Sequence, residues 1–186
     1  MRVCNDLREQ LLSAYRLIEA QMTVDPLTGV WSRNVILDIL KRQLTLSSQS
    51  DSPMSLMIAH IDHFQDINAS FGPLAGDGVL REVGRRFRVA LRSPDSIGRS
   101  VADEFVMVLR GCDTPTAASL AEKFRARVGR RAVDTSVGMV PVTVSLGVMV
   151  SPSEKALDLD AAWHLATEAV SHAKAKGHNR VEFARL

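Results

Sequence analysis

The sequence predicts one domain of the α/β or α+β class, in which helices cover a central sheet. Helical apolar patterns alternate along the chain with short runs rich in β-branched residues, which is typical of that class. The 186 residues, of which 46% are hydrophobic and 24% charged, supply enough apolar surface for a single core. This composition excludes a disordered tail and a miniature protein held together by disulfides.

Composition also narrows the possible partners. The net charge is +2, from 23 basic and 21 acidic residues, which is too balanced for a bulk nucleic-acid binder. Two cysteines, Cys4 and Cys112, cannot build a disulfide framework or a four-ligand zinc site. The apolar stretch 140–150 is too short to span a bilayer, and the first ten residues lack the apolar region of a secretory signal. We therefore expect no nucleic-acid partner, no membrane insertion and a cytoplasmic location.

The first predicted element is an amphipathic helix over residues 6–22, which ends before Asp25-Pro26 because the residue before a proline avoids the α region. Its apolar residues recur at steps of three and four, at Leu7, Leu11, Ala14, Ile18 and Met22. The helix either docks on its own domain or serves as a connector that supports a homodimer. We place this helical unit at residues 1–24 and the main domain at 25–186.

The remaining elements alternate between helix and strand. Ser32 is suited to cap a helix that passes through Ile36 and Leu44, and the polar segment 45–53 predicts a loop. In order, we then predict a buried strand at 54–61, a helix at 77–91, a hairpin turn at 101–103, a strand at 105–109, a helix that opens at Thr114-Pro115, a strand at 140–150, a helix at 161–175 and a strand at 181–183.

Several short motifs occur in a fixed order after the first helix. They are DPLTG at 25–29, HIDHFQDIN at 60–68, Gly76-Asp77, RSPD at 92–95, RSVADEF at 99–105, VSLG at 144–147 and AKAKGHNR at 173–180. Each motif alone is weak, but their order and spacing resemble the GGDEF domain, the diguanylate cyclase module of bacterial signalling. The resemblance implies a fold like that of nucleotide cyclases and polymerase palms, with a mixed sheet of about five strands wrapped by helices. It also implies paired domains that hold GTP and Mg²⁺ and make cyclic di-GMP.

The chain departs from the family pattern at the metal site that the resemblance implies. His60 stands where the family has an aspartate that binds metal, and Val101-Ala102 stands where it has two glycines. Mg²⁺ prefers oxygen ligands, so imidazole is a poor replacement. Asp103 and Glu104 keep the family's carboxylates, and we predict that they are vestigial and serve only as solvated charges of the hairpin. The alternative is an altered site in which His60 joins Asp103 or Glu104 around Mn²⁺.

The positions that the family uses for the nucleotide are changed in part. Gln65 and His178 stand where the resemblance implies a lysine and an arginine for the phosphates, whereas Lys174 persists. Asn68 and Asp77 match the residues that read the guanine edge, although both residue types also cap local backbone. We expect no cofactor, with Mg²⁺ present only if GTP binding survives.

The best-preserved motif is Arg92-Ser-Pro-Asp95, which stands at the offset of the family's inhibitory site for cyclic di-GMP. Arginine offers a two-pronged donor to guanine O6 and N7, and aspartate accepts from the opposite edge. Lys123 falls where the family often places a second arginine for this site. The alternative is that 92–95 is a simple turn and Arg92 a charge at a helix end.

These observations lead to three functional hypotheses. The first is a catalytically degenerate GGDEF domain that binds cyclic di-GMP through Arg92 and Asp95 and relays the signal to a partner. The second is a dimerisation or docking module that uses no nucleotide. The third is a weak cyclase or a domain that still binds GTP.

Overall fold

A computed structural model describes residues 22–50, 52–151 and 157–185 of the chain. Five helices and seven strands alternate in these residues: α1 (Arg33–Ser50), β1 (Met54–Ile61), α2 (Phe64–Phe71), α3 (Pro73–Ala90), β2 (Ser96–Arg99), β3 (Glu104–Arg110), α4 (Thr114–Gly129), β4 (Val133–Thr135), β5 (Gly138–Val140), β6 (Val144–Val150), α5 (Leu159–Ala175) and β7 (Val181–Phe183).

The main sheet has the strand order β2-β3-β1-β6-β7. All neighbouring pairs are antiparallel except β6 and β7, so the sheet is mixed and five-stranded, as expected. Strands β4 and β5 form a separate two-stranded hairpin. The predicted α/β architecture, with helices around a central mixed sheet, is therefore confirmed.

The two faces of the central strand β1 pack against different helix pairs, because successive side chains of a strand point in opposite directions. Met57 and Ala59 join a core cluster with α3 and α4, in which Phe87 packs edge-on against Phe105 and Phe124. Leu56 and Ile58 join a second cluster with α1 and α5. By the same alternation His60, near the end of β1, belongs to the face of the sheet that α1 and α5 cover.

The glycine of the VSLG motif, Gly147, is explained by the packing of helix α5 on strand β6. A Cβ placed on Gly147 would lie 2.2 Å from the carbonyl oxygen of Ala166 and 2.4 Å from the backbone nitrogen of Val170. Helix α5 therefore rests directly on the backbone of β6, and only glycine permits that approach. This contact fixes the helix that carries Lys174 against the sheet.

Several predicted boundaries were wrong. The segment 45–53 is not a loop throughout, because α1 continues to Ser50. The hydroxyl groups of Thr45, Ser48 and Ser50 donate to carbonyl oxygens three or four residues earlier, so these polar side chains are satisfied within the helix. Helix α3 begins at Pro73 rather than 77, since proline suits the first helical turn.

Two further predictions differ in extent. The strand predicted at 140–150 is two strands, β5 and β6, which are separated at residues 141–143, beginning with Pro141. The helix predicted within 1–24 lies almost entirely outside the described residues. Residues 22–24 are not helical, and Val24 forms an isolated bridge to Trp31. Among the described residues, no helix has both the length and the apolar character needed to cross a bilayer.

Candidate functional site

The side chain of His60 lies between the two carboxylates of the signature loop. Its Nε2 atom is 2.9 Å from Glu104 Oε2, and its Nδ1 atom is 3.4 Å from Asp103 Oδ2. Pairing of β1 with β3 sets this geometry, because His60 is directly opposite Glu104 in the ladder. The three side chains are mostly shielded, with exposed fractions of 19% for His60, 21% for Asp103 and 8% for Glu104. We call these three residues the histidine clamp.

The charges in the histidine clamp favour a protonated imidazole. Burial by itself lowers the pKa of His60, but the hydrogen bonds with Asp103 and Glu104 outweigh burial and raise it above its ordinary 6.5. Burial by itself raises the pKa of Asp103, and His60 outweighs burial so that this pKa falls below 3.8. A neutral imidazole has one N–H to donate, so only the protonated ring can donate to both carboxylates. Asp103 and Glu104 are therefore paired with His60, and the expectation of solvated hairpin charges was wrong.

The signature loop keeps its turn without glycine. Ala102 adopts the left-handed φ of 44°, and Glu104 N donates to Val101 O over 2.8 Å. Arg99 donates from Nε and Nη2 to the carbonyl oxygen of Ala102. Val101 itself is not in the left-handed region, so this β-branched residue sits in the loop without backbone strain. The valine side chain is instead 54% exposed on the surface of the loop.

Asp62, the acid of the His60-Ile-Asp62 motif, is buried and paired within the protein interior. Its carboxylate accepts hydrogen bonds from Thr143 Oγ1 at 2.7 Å, Ser145 Oγ at 2.6 Å and the backbone nitrogen of Asn179 at 2.9 Å. These bonds join β1, β6 and the turn after α5. Asp62 is thus a structural anchor and does not replace the missing metal ligand. Sequence analysis did not detect this role, because its three donors lie more than 80 residues away.

The donor set of the histidine clamp does not fit the magnesium site that the resemblance implies. An imidazole occupies the space between the two carboxylates, and Asp62 is occupied elsewhere. Across 22–50, 52–151 and 157–185, no group of three or more His, Cys, Asp or Glu side chains is arranged to hold a metal ion. Mg²⁺ requires near-octahedral oxygen coordination. The placement of His60 between two carboxylates instead favours a proton on each ring nitrogen.

The residues matched to guanine, Asn68 and Asp77, lie on α2 and α3, whereas the residue matched to phosphate, Lys174, lies on α5. Asn68 in α2 packs on the backbone of α3, since a Cβ on Gly76 would lie 1.9 Å from Asn68 Oδ1. Asp77 follows on α3, and its carboxylate is 3.9 Å from Arg81 Nη2. Lys174 in α5 is close enough to the histidine clamp for its charge to favour the ionised form of Asp103 and to oppose protonation of His60. The rings of His63 and His178 contact each other at a tilt of 34°, with centroids 4.5 Å apart.

The turn at 92–95 brings Arg92 and Asp95 together. Arg92 Nε lies 3.2 Å from Asp95 Oδ2, and Arg92 Nη2 donates to Arg110 O over 2.9 Å. Asp95 Oδ1 accepts from the backbone nitrogen of Arg110. The Asp95 side chain is 1% exposed, whereas that of Arg92 is 53% exposed. The carboxylate therefore faces β3, and the guanidinium faces solvent.

A cavity of about 370 Å³ adjoins this turn. Besides Arg92 and Asp95, its lining includes Trp31, Arg88 and the apolar side chains of Leu91 and Ile97. Lys123 is exposed on α4 and does not line this cavity. Sequence analysis missed Trp31 and Arg88. The signal available for Trp31 was a tryptophan two residues after the turn motif at 25–29, and no pattern in the sequence links Arg88 to Trp31.

Comparison with known proteins identifies the family to which the chain belongs. The family model for the diguanylate cyclase GGDEF domain matches residues 22–180. The chain is 34% identical over 175 residues to the probable diguanylate cyclase DgcT of Escherichia coli K12, covering 92% of this chain and 38% of DgcT. This chain thus spans less than half the length of that relative.

Solved structures give the same result. The GGDEF domain of DgcB from Caulobacter crescentus, in complex with c-di-GMP, superposes with a TM-score of 0.82 at 25% identity, covering 88% of this chain and 96% of the other. Diguanylate cyclase SiaD from Pseudomonas aeruginosa, in complex with its activator SiaC, superposes with a TM-score of 0.82 at 26% identity, covering 98% of this chain and 70% of SiaD. With the matched motifs and the five-stranded mixed sheet, these similarities establish that the chain belongs to the GGDEF family of diguanylate cyclase domains of cyclic di-GMP signalling.

Proposed function

We propose that this chain is a GGDEF domain that binds cyclic di-GMP instead of making it, and that it relays the bound state to a partner protein. The observation that carries the proposal is the histidine clamp. His60 pairs with both carboxylates that the family would use for metal, at 2.9 Å from Glu104 and 3.4 Å from Asp103. The imidazole ring of His60 thus takes the place of the divalent cation, and the two carboxylates raise its pKa and so favour its protonated form.

The loss of cyclase activity follows from the chemistry of phosphoryl transfer. That reaction needs cations that bridge the phosphate oxygens and neutralise the developing charge. In this chain Asp103 and Glu104 are already paired with His60, and an imidazole held between two carboxylates has no free coordination positions to offer a phosphate. Gln65 and His178, where the family has a lysine and an arginine, further reduce the charge available for a triphosphate.

Binding of cyclic di-GMP is supported by the arrangement of Arg92 and Asp95. The buried Asp95 carboxylate holds Arg92 at the edge of a cavity of about 370 Å³. The exposed guanidinium retains donors suited to guanine O6 and N7. We infer that Arg92 contacts the ligand, that Asp95 positions Arg92, and that exposed Lys123 adds only long-range charge. The complex of the similar DgcB domain with c-di-GMP supports the choice of ligand.

Isothermal titration calorimetry with cyclic di-GMP tests the binding. We expect a micromolar dissociation constant for the wild type and, for Arg92→Ala, a loss of about tenfold or more, the size expected for a bidentate arginine contact. Arg127→Ala, an exposed arginine at the end of α4, is the matched control and should bind like the wild type. Absence of heat with the wild type, or equal binding by Arg92→Ala, would end the proposal.

Two further measurements test the loss of activity and the relay. Purified protein incubated with GTP and Mg²⁺ or Mn²⁺ should give no cyclic di-GMP, and clear product would refute the inactive assignment. The complex of SiaD with its activator SiaC supports a partner for a GGDEF chain. For this chain, relay predicts a partner whose affinity changes when cyclic di-GMP is added, and an unchanged affinity would contradict the relay.

The second candidate, a docking module that uses no nucleotide, is favoured by the surface near the signature loop. Met22, Val24 and Val101 are exposed there and line an open cavity of about 380 Å³. This candidate predicts no thermal shift with any guanine nucleotide and a dimer or partner complex instead, because only a ligand that binds the native state stabilises it. A shift with cyclic di-GMP would exclude it.

The third candidate is a domain that still binds GTP. Asn68, Asp77 and Lys174 keep the residue types that the family uses for guanine and phosphate. It predicts heat on titration with GTP, and comparison of titrations with and without Mg²⁺ separates binding through these residues from binding through a metal. No heat in either titration would exclude it.

A further inference from the structure

The cavity beside Arg92 contains two side chains that no family motif accounts for, Trp31 and Arg88. We propose that Trp31 stacks on a guanine of cyclic di-GMP and that Arg88 binds its phosphodiester. This inference rests on the proposed function, since it names the residues that complete the binding site. It goes beyond that function because Trp31 and Arg88 lie outside the motif at 92–95.

Trp31 is mounted rigidly although its ring is half exposed. Its backbone nitrogen donates to Ile97 O over 3.0 Å, and its carbonyl oxygen accepts from Arg99 N over 2.9 Å. It also bridges Val24 on one side and Gly98 on the other, so that it extends the edge of the sheet next to β2. Because the backbone is fixed on both sides, little conformational freedom is lost when a base stacks on the 40% exposed indole.

Arg88 supplies a second positive charge to the lining of the cavity. It is exposed in the last turn of α3, and a Cβ on Gly29 would lie 3.7 Å from its Nη1 atom, so the guanidinium reaches the turn before Trp31. Within the described part of the chain it has no carboxylate partner. A guanidinium held near an aromatic ring without a counter-ion is suited to bind a phosphate oxygen.

The balance of groups in the cavity indicates a nucleotide. Two guanidinium groups, from Arg88 and Arg92, line the cavity together with a single carboxylate, that of Asp95, which is buried and accepts from the backbone nitrogen of Arg110. One aromatic wall and an apolar floor of Leu91 and Ile97 complete it. A flat heterocycle joined to a phosphodiester matches this combination, and the volume of about 370 Å³ lies within the range of small-molecule sites.

The chain offers a direct spectroscopic test, because it has only two tryptophans, Trp31 and Trp163. Trp163 lies on α5, and its ring contacts Arg33. In a Trp163→Phe variant all indole emission comes from Trp31. We expect cyclic di-GMP to quench that emission with the same midpoint as the calorimetric titration. The matched Trp31→Phe variant, which retains Trp163, should show no quenching.

Calorimetry on alanine variants gives the second readout. We expect Trp31→Ala to weaken binding about tenfold, the size typical of one base–aromatic stack, and Arg88→Ala to weaken it about tenfold or more, as expected for one charged hydrogen bond. Arg88→Ala should also flatten the salt dependence of the affinity, which Arg127→Ala should leave unchanged. Circular dichroism and urea unfolding confirm that the variants fold, as expected for exposed positions.

The outcomes separate this inference from the proposed function. If the wild type binds cyclic di-GMP and Arg92→Ala weakens binding, while Trp31→Ala and Arg88→Ala bind like the wild type, the inference is overturned and the proposed function stands. Binding in calorimetry without quenching of Trp31 also overturns it. If the wild type gives no heat at all, the proposed function fails and the inference fails with it.

Discussion

The histidine clamp and the turn at 92–95 are both ion pairs at ends of the sheet strands, but the clamp buries both of its partners, whereas the turn buries only its acid. In the clamp, the base His60 is 19% exposed and the acid Glu104 is 8% exposed, so each partner is satisfied by the other. In the turn, the acid Asp95 is 1% exposed and the base Arg92 is 53% exposed. An ion pair that is buried on both sides has no donor left for a ligand, whereas one that buries only its acid presents its base.

Removal of His60 should have the largest effect on stability. His60→Ala leaves the mostly buried carboxylate of Glu104 next to Asp103 without its hydrogen-bonded partner, and we expect a loss of about 2–3 kcal/mol in the free energy of unfolding. Urea unfolding measures it, with His164→Ala as the control for an exposed histidine. A loss for His60→Ala no larger than for His164→Ala would show that the clamp does not stabilise the fold.

In the turn at 92–95, the acid should matter more for stability than the base. Asp95→Ala removes the acceptor for the backbone nitrogen of Arg110, and we expect it to cost about 1–2 kcal/mol. Arg92→Ala removes a half-exposed partner and should cost about 0.5 kcal/mol or less. Thermal or urea unfolding of both variants gives the comparison. Equal losses would contradict the division between a positioning acid and a ligand-binding base.

A carboxylate at position 60 should restore a response to metal. We expect His60→Asp to unfold more easily than the wild type without Mg²⁺, because three acids then repel one another. Mg²⁺ at ten times its dissociation constant should then stabilise the variant by about 1.4 kcal/mol. The wild type and the uncharged control His60→Asn should not respond. A wild type that is equally stabilised by Mg²⁺ would show that His60 does not exclude the cation.

The contribution of the histidine clamp to the free energy of unfolding should change gradually with pH. The pKa of His60 is raised above 6.5 in the folded protein, so its stabilising contribution is complete below pH 6.5 and is lost as the pH rises through the folded value. The pKa of Asp103 is lowered below 3.8, so its contribution is present above that pH and is lost as the pH falls through the folded value. Urea unfolding of the wild type and of His60→Gln, measured from below the pKa of Asp103 to above that of His60, separates the loss of stability at low pH from the loss at high pH. Parallel curves for wild type and variant would contradict the pairing.

Sequence patterns predicted the elements whose signals are local. The buried strand at 54–61 matches β1 residue for residue, because a short apolar run between polar segments is typical of a central strand. The hairpin turn at 101–103 also lies between β2 and β3 as expected. The end of α1 was missed because serine and threonine resemble loop residues until their hydroxyl groups are seen to bond within the helix.

The candidate site was predicted in its composition but not in its pairing. Substitution of an acid by His60 was visible in the motif, yet it indicated only a lost ligand. The contact of His60 with Glu104 joins residues 44 positions apart and depends on the β1–β3 register. Similarly, RSPD identified Arg92 and Asp95, whereas the orientation of each depends on the backbone of Arg110.

The amino-acid sequence alone determined which residues are present, the alternation of helices and strands, and the family to which their motifs belong, because these properties reside in short segments and their order. Only the tertiary structure decided which member of each ion pair faces the interior, and that Trp31 and Arg88 line the same cavity as Arg92. Burial and charge pairing arise from contacts between segments that are distant along the chain, so no local pattern carries them.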